Sequence, residues 1–171
     1  KVNGKLKKFD HVVIAVHSDQ VLKMINFLDK NHINLFKGIK YTKNEVFLHT
    51  DKTLMPKYKK VWASWNYIEG TSHKKKLSVT YWMNKLQKLE TKRNIFVTLN
   101  PDKIPSGKKF IKKIIYHHPL FDHNTFKNQK KIEEIQGKKR LWFCGAYLGY
   151  GFHEDGIKSG LSVAKKILLK G

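Results

Sequence analysis

Five glycines, Gly145, Gly149, Gly151, Gly156 and Gly160, fall within sixteen residues near the end of this chain. An apolar run at 141–144 precedes them and a helical pattern follows, so the local order is strand, glycine-rich turn, helix. Glycine is costly inside regular structure, and such clustering marks backbone that turns sharply or comes close to something. A helix N-terminus behind a strand presents unsatisfied N–H groups and the positive end of the helix dipole. It is a ready place for an anion or for the polar edge of a cofactor. The same layout also serves as a plain surface loop between two elements. His153, Glu154 and Asp155 open the helix. Acidic side chains in a first turn are favoured by the dipole by about 0.3–1 kcal/mol each, so both carboxylates read as helix-terminal rather than catalytic. Gly156 and Gly160 share one helix face, with Ile157, Leu161, Ala164 and Leu168 as an adjoining stripe expected to pack in the core.

Other chemistry-bearing residues are more scattered. His117, His118 and His123 lack both the helical i,i+4 spacing and the cysteine partner that zinc favours. Cys144 sits within the apolar run and reads as an inert buried thiol. His17 ends the first strand, where ligand-facing residues gather in open α/β sheets; capping the following helix is its other use. Tyr147, Tyr150 and Phe152 bring aromatic surface to the glycine-rich turn. Trp62, Trp65, Tyr81 and Trp82 recur at strand spacing, which suits core packing as readily as a ligand cage. No nucleophile-elbow spacing of Ser, His and Asp, or of Cys and His, is present.

A chain of 171 residues with 40% hydrophobic and 12% aromatic content can bury a sizeable core. The formal charge of +22 raises nucleic acid or an anionic membrane as partners. All but Arg93 and Arg140 of the 35 cationic residues are lysines, however, and they are spread along the chain. Arginine usually dominates base and phosphate recognition because its planar fork pairs bidentately, so this pattern argues against nucleic acid. No apolar run approaches the roughly 20 residues of a spanning helix. A single cysteine suits a cytoplasmic protein, with a membrane-peripheral position as a variant.

The elements that must position these residues read as follows. Residues 9–16 form a buried strand of the parallel kind. Ser18 or Asp19 caps a helix with apolar positions Val21, Leu22, Ile25 and Leu28, broken at 31–34. Phe36 and Ile39 belong to a short second helix. Strands are expected at 41–50, 61–68, 77–83, 95–99 and 110–117, with Val79, Tyr81 and Met83 as the alternating positions of a half-buried strand. A polar hairpin-like loop occupies 69–76. Asp122 or Asn124 caps a polar helix through Ile135, Gly137 stops it, 141–144 is the final strand and 155–169 the final helix. The order makes an α/β to α+β protein with two sheets.

Several of these stretches resemble the C-terminal part of the flavin-dependent amine oxidase superfamily, which includes monoamine oxidases, protoporphyrinogen oxidases and phytoene desaturases. The likeness is greatest to its bacterial NAD/FAD-binding oxidoreductases. It is carried by FDHVVIAVHSDQVLKMI at 9–25, YTKNEVFLHTDKTLMP at 41–56, WASWNY at 62–67, SVTYWMNKLQ at 78–87, FVTLNP at 96–101, HHPLFD at 117–122 and above all WFCGAYLGYGFHEDGIKSGLSVA at 142–164. The resemblance implies a Rossmann-like FAD-binding domain, represented by its returning segment 1–34 and its strand-turn-helix 136–171. It implies an antiparallel substrate-domain sheet with a flanking helix at 35–135. FAD is the implied cofactor, and the implied reaction is hydride transfer to flavin from a C–H bond of an amine or a lipid chain. In such proteins the amides of His153 and Glu154 would face the flavin's pyrimidine edge, with Phe152 beside the ring. Gly145 and Ala146 would lie near the ribityl and pyrophosphate part, Gly151 and Gly156 would permit close approach, and His17 would stand next to the cofactor. Ala146 occupies a position where the family often has an acidic residue, so that ribityl contact is missing. Tyr147 and Tyr150, with one of Trp62, Trp65, Tyr81 or Trp82, would line the substrate pocket. The G-x-G-x-x-G fingerprint is absent from the sequence, so the N-terminal remainder of the same flavoprotein is an expected partner. An anionic membrane surface is a further expected partner. The rival reading is a basic binding module for nucleic acid or membrane without catalysis.

Overall fold

A computed structural model describes residues 4–69 and 77–169. The expected loop at 69–76 falls, apart from its end at 69, outside the described residues. The chain divides into two compact units, one built from residues 1–42 and 119–171 and the other from 43–118. This division places the polar helix after Asp122 with the terminal segments. Among the described residues no helix is long and apolar enough to cross a membrane.

In the first unit, β1 (Val12–Ile14) pairs in parallel with β7 (Leu141–Phe143), Val12 opposite Leu141 and Ile14 opposite Phe143. Helices α1 (Ser18–Met24), α2 (Lys30–Lys37) and α4 (His123–Glu134) pack around this pair, and α5 (His153–Leu168) follows β7. Ile14, Val21, Phe36, Ile132, Leu141 and Phe143 form the centre of the core, and each such side chain removed from water contributes about 1.5–3 kcal/mol. A second cluster joins Trp142 and Cys144 to Val163 of α5.

Four expectations change here. The first strand is parallel but not buried: Val12 and Val13 are 42% and 46% exposed, because they flank a two-stranded sheet rather than the middle of a large one. The first helix ends at Met24, and residues 31–34 lie inside α2, whose N-cap Asp29 accepts from the His32 amide. A capped start outweighs the modest helix propensity of asparagine. The stripe on α5 is not core: Ile157 and Leu161 are 59% and 57% exposed, and the helix instead turns Val163 inward. The fourth change concerns the second unit.

That unit is a five-stranded sheet in the order β3-β4-β5-β2-β6, whose strands are β2 (Tyr41–His49), β3 (Trp65–Glu69), β4 (Leu77–Trp82), β5 (Phe96–Leu99) and β6 (Phe110–Pro119). The short α3 (Met83–Leu86) leaves β4. The β3–β4, β4–β5 and β5–β2 pairs are antiparallel, with Thr80 opposite both Asn66 and Thr98, and Thr98 opposite Phe47. The face expected to be inward is the open one. Trp65, Tyr67, Val79, Tyr81 and Val97 share it and are half-buried or exposed. The opposite face carries Asn66, Ser78, Thr80, Thr98 and His49, all buried, together with Phe47 and Phe96.

Buried polar groups must be satisfied, and here they bond one another. The Asp51 amide donates to His49 Nδ1 at 3.0 Å, so this nitrogen is the acceptor and Nε2 carries the proton. Nε2 then donates to Thr98 Oγ1 at 2.7 Å. Thr98 and Thr80 hydroxyls are 2.8 Å apart, and Thr80 donates onward to the Leu54 carbonyl at 3.0 Å. The chain therefore has one direction throughout, set by its two backbone ends. Asn66 likewise holds the Ala63 amide and carbonyl and the Thr80 carbonyl.

Burial pushes the His49 imidazole down to about 4. Its folded pKa lies below the ordinary value of about 6.5, so the unfolded chain binds the extra proton between these limits and stability rises with pH across them. Unfolding free energy should therefore fall by roughly 3 kcal/mol as pH drops from about 6.5 to about 4, through this residue alone. Urea denaturation across that range measures it, and His49→Gln should flatten the slope. A slope unchanged in the variant would show that His49 is not its source.

Candidate functional site

The glycine-rich turn is built around its own backbone donors and acceptors. From Phe143 the chain passes through Gly145, at φ 156°, into a single helical turn at Ala146–Leu148, then through Gly151, at φ 90°, to the start of α5. A Cβ at Gly145 would lie 2.8 Å from the Tyr147 ring, and one at Gly151 would lie 2.9 Å from the Phe121 ring. Gly151 is thus doubly required, by its left-handed φ and by its neighbour. Gly156 differs: a Cβ there would come no nearer than 3.8 Å to the Ala146 amide, an ordinary contact, and one at Gly160 would meet nothing.

Four side chains hold this turn from outside the glycines. Gln129 Nε2 donates to the carbonyls of Tyr147 and Gly149 at 2.9 and 2.7 Å. Gln136 bonds Phe143 twice, accepting from its amide and donating to its carbonyl, as a neighbouring strand would. Ser159 Oγ accepts from the Gly145 amide at 2.9 Å. Asp155 accepts from the amides of Tyr150 and Phe152 at 3.1 and 2.9 Å. The sequence offered little signal for these: Gln129 stands in an otherwise lysine-rich helix, Gln136 just beyond its end, and Ser159 three residues from Gly156. Asp155 is indeed helix-terminal, as a cap. Glu154 lies beside Lys158 at 3.5 Å on the exposed side of the first turn.

The parallel pairing sets His17 and the 145–154 turn at the same carboxyl end of the strands. His17 makes no side-chain cap to α1; its ring stacks on Tyr41 with centroids 5.2 Å apart. The Tyr41 hydroxyl accepts from Ser18 N and Oγ at 3.0 and 3.1 Å, and burial raises its pKa against those bonds. Tyr147, expected in a substrate pocket, is instead core: it is buried, its hydroxyl has no hydrogen-bond partner among the described residues, and burial, then Tyr41 and Cys144, push its pKa upward. Burial also raises the Cys144 thiol. Tyr150, Phe152, His153 and Glu154 are exposed, with Tyr150 packed on Phe126. Ala146 is half-buried and lies beneath Gly156.

The remaining pocket candidates lie in the other unit and fall on opposite faces of its sheet. Trp62 is core, its indole donating to the Pro56 carbonyl at 2.8 Å and its ring set edge-on to Trp82 and Phe96. Trp82 packs on the same cluster with its indole N–H buried and unpaired. Trp65 and Tyr81 meet at 5.2 Å on the open face. Their near-perpendicular rings make a pair rather than two parallel walls. His117 and His118 lie on β6, where His118 Nδ1 is 2.9 Å from Asn44 Nδ2. Among the described residues no group of three or more histidines, cysteines, aspartates or glutamates is gathered.

Asp155→Ala should destabilise the protein by about 1–2 kcal/mol, since it strips a partner from two amides at once. Gly151→Ala should cost at least as much, from a φ penalty of about 1–2 kcal/mol plus the Phe121 clash. Chemical denaturation of both variants checks the ranking, and a neutral Gly151→Ala would contradict the turn geometry.

No protein-family model matches this sequence, and a search of curated proteins finds no match.

Proposed function

We propose that this chain forms part of an FAD-dependent oxidoreductase similar to the flavin-containing amine oxidases. The observation that carries the reading is the parallel β1–β7 pair, which brings His17 and the 145–154 turn to one carboxyl end of the strands. Ligands of open α/β sheets bind in that position. The residues present fit the group at its polar edge. The first-turn amides of His153 and Glu154 have no intrahelical acceptor and open toward solvent. Gly156 is a second sign, because among the described residues a Cβ there would come no nearer than 3.8 Å to another group. Glycine costs about 1 kcal/mol relative to alanine inside a helix, so a ligand pressing on that face would account for it.

FAD would supply the hydride acceptor, which protein side chains lack. The chain's own contribution is positioning and electrostatics. The amides of His153 and Glu154 would stabilise negative charge at the cofactor edge, Phe152 would offer it a ring, and the stacked His17 would shield its other approach. Tyr150 remains available on the turn, and in the second unit, taken by itself, Trp65 and Tyr81 form an open aromatic surface. The exposed Val12, Val13, Ile157 and Leu161 are apolar surface of the kind that further elements of a parallel sheet domain would cover. That surface beside numerous lysines also supports the second reading, a basic module on an anionic membrane.

The full-length polypeptide should be yellow as purified, and residues 1–171 alone should not. Gly156→Val should lose the flavin while staying folded, since a Cβ there would come no nearer than 3.8 Å to the Ala146 amide. Glu154→Gln should retain it. Flavin absorbance and circular dichroism of these proteins decide the matter. Colourless full-length protein that binds anionic vesicles would favour the basic module, and unshifted flavin in Gly156→Val would remove α5 from the cofactor.

A further inference from the structure

We propose that the groove along residues 52–62 of the second unit binds an amphiphilic anion, a phosphate or carboxylate head on an apolar body. This site is independent of the flavin reading. The groove encloses about 480 Å³, within the range of about 300–1,000 Å³ typical of small-ligand sites. Its cations are Lys52, Lys57 and Lys59, and no acidic residue lines it. Its apolar lining is Met55, Pro56 and Trp62, with Met55 and Trp62 buried. The three lysines are point charges without the forked geometry that arginine would impose, so they suit a rotating anionic head more than a fixed bidentate one. Three carbon-rich side chains beside them suit a hydrocarbon or ring, not a bare ion.

The walls are held before any ligand arrives. The Trp62 indole ties to the Pro56 carbonyl, closing the loop on itself at 2.8 Å. Leu54 is held by Thr80 at the end of the buried His49–Thr98–Thr80 chain. Asp51, next to Lys52 in the chain, is already committed. Burial would raise its pKa, but bonds from the Thr53 amide and hydroxyl and from Lys109 more than offset this and keep it ionised. Its charge is thus answered by Lys109, outside the groove, and Lys52 is left for a ligand. A lining fixed in this way loses little entropy on binding.

The test is calorimetric titration of the full chain with monomeric dodecyl phosphate, with inorganic phosphate and with phosphatidylglycerol vesicles. The combined variant Lys52→Ala, Lys57→Ala and Lys59→Ala is compared with Lys127→Ala, Lys130→Ala and Lys131→Ala on α4. These side chains are all exposed, so folding should survive, and circular dichroism checks it. Dodecyl phosphate should bind saturably, weaken at least about tenfold in the groove variant and change less than about twofold in the α4 variant. Inorganic phosphate should bind at least about tenfold more weakly than dodecyl phosphate. Vesicle binding with the same groove dependence would place the head on a membrane lipid, and its absence would leave a free amphiphile. Equal losses in both variants, no saturable binding, or phosphate binding as tightly as dodecyl phosphate would each overturn the proposal.

Discussion

Three residue pairs between β1 and β7 hold the first unit together across most of the chain. Closing a loop of that length costs on the order of 4 kcal/mol in chain entropy. Three-residue strands cannot offset this by hydrogen bonding alone, since each bond adds only about 0.5–1.5 kcal/mol net. The offset comes from what the pairing buries. Ile14 and Phe143 meet Phe36, Val21 and Ile132, which arrive from α2, α1 and α4. Without the helices the strand pair would not persist, and without the pair neither His17 nor the glycine-rich turn would have a fixed place.

The elements were largely legible because they rest on local rules. Asp122 caps α4 through the Thr125 amide, as a short acceptor before a helix should. The glycine turn and α5 follow from composition alone. Facing was less legible, because period-two alternation does not say which side is inward. In β4 the hydrophobic set Val79 and Tyr81 points to the open face, and Ser78 and Thr80 are buried. The hydrophobic rule failed there because the threonines found partners on three different segments, Thr98, His49 and the Leu54 carbonyl, which no local window contains. The stripe on α5 failed for a related reason. An apolar stripe can be read from spacing, but the surface that covers it cannot. Tyr147 was misplaced because a turn residue in a glycine-rich loop reads as exposed, whereas the φ of Gly145 folds the tyrosine back into the core.

The two units use polar groups for the same end by different means. In the sheet, polar side chains are buried in a directed chain that ends on the Leu54 carbonyl and so fixes the groove wall. Its neutrality is essential to it: a charged His49 would lose its acceptor at Nδ1 and bring an unpaired charge into a dry site. In the first unit, the polar side chains that hold the glycine-rich turn, Gln129, Gln136, Ser159 and Asp155, are half-buried and act on backbone. Gln136 occupies the edge of β7 at Phe143, bonding as a strand would.

Asp155 and the two glutamines also determine what the α5 N-terminus can do. A helix end attracts anions only if its donors are not already taken and the chain before it does not fold across them. Asp155 takes the amides of Tyr150 and Phe152, which precede the helix, and leaves those of His153 and Glu154. Gln129 holds the two carbonyls of the turn that would otherwise be free to swing toward the same donors. The result is a pair of first-turn amides left to solvent at an exposed helix end. That arrangement costs the folded protein two unsatisfied donors at an exposed end, where water answers them cheaply. It returns the advantage only when something larger than water excludes that solvent, because the field of the fixed dipoles grows as the local dielectric falls. A planar, partly anionic ligand edge meets this condition, and a mobile lysine or a passing ion does not.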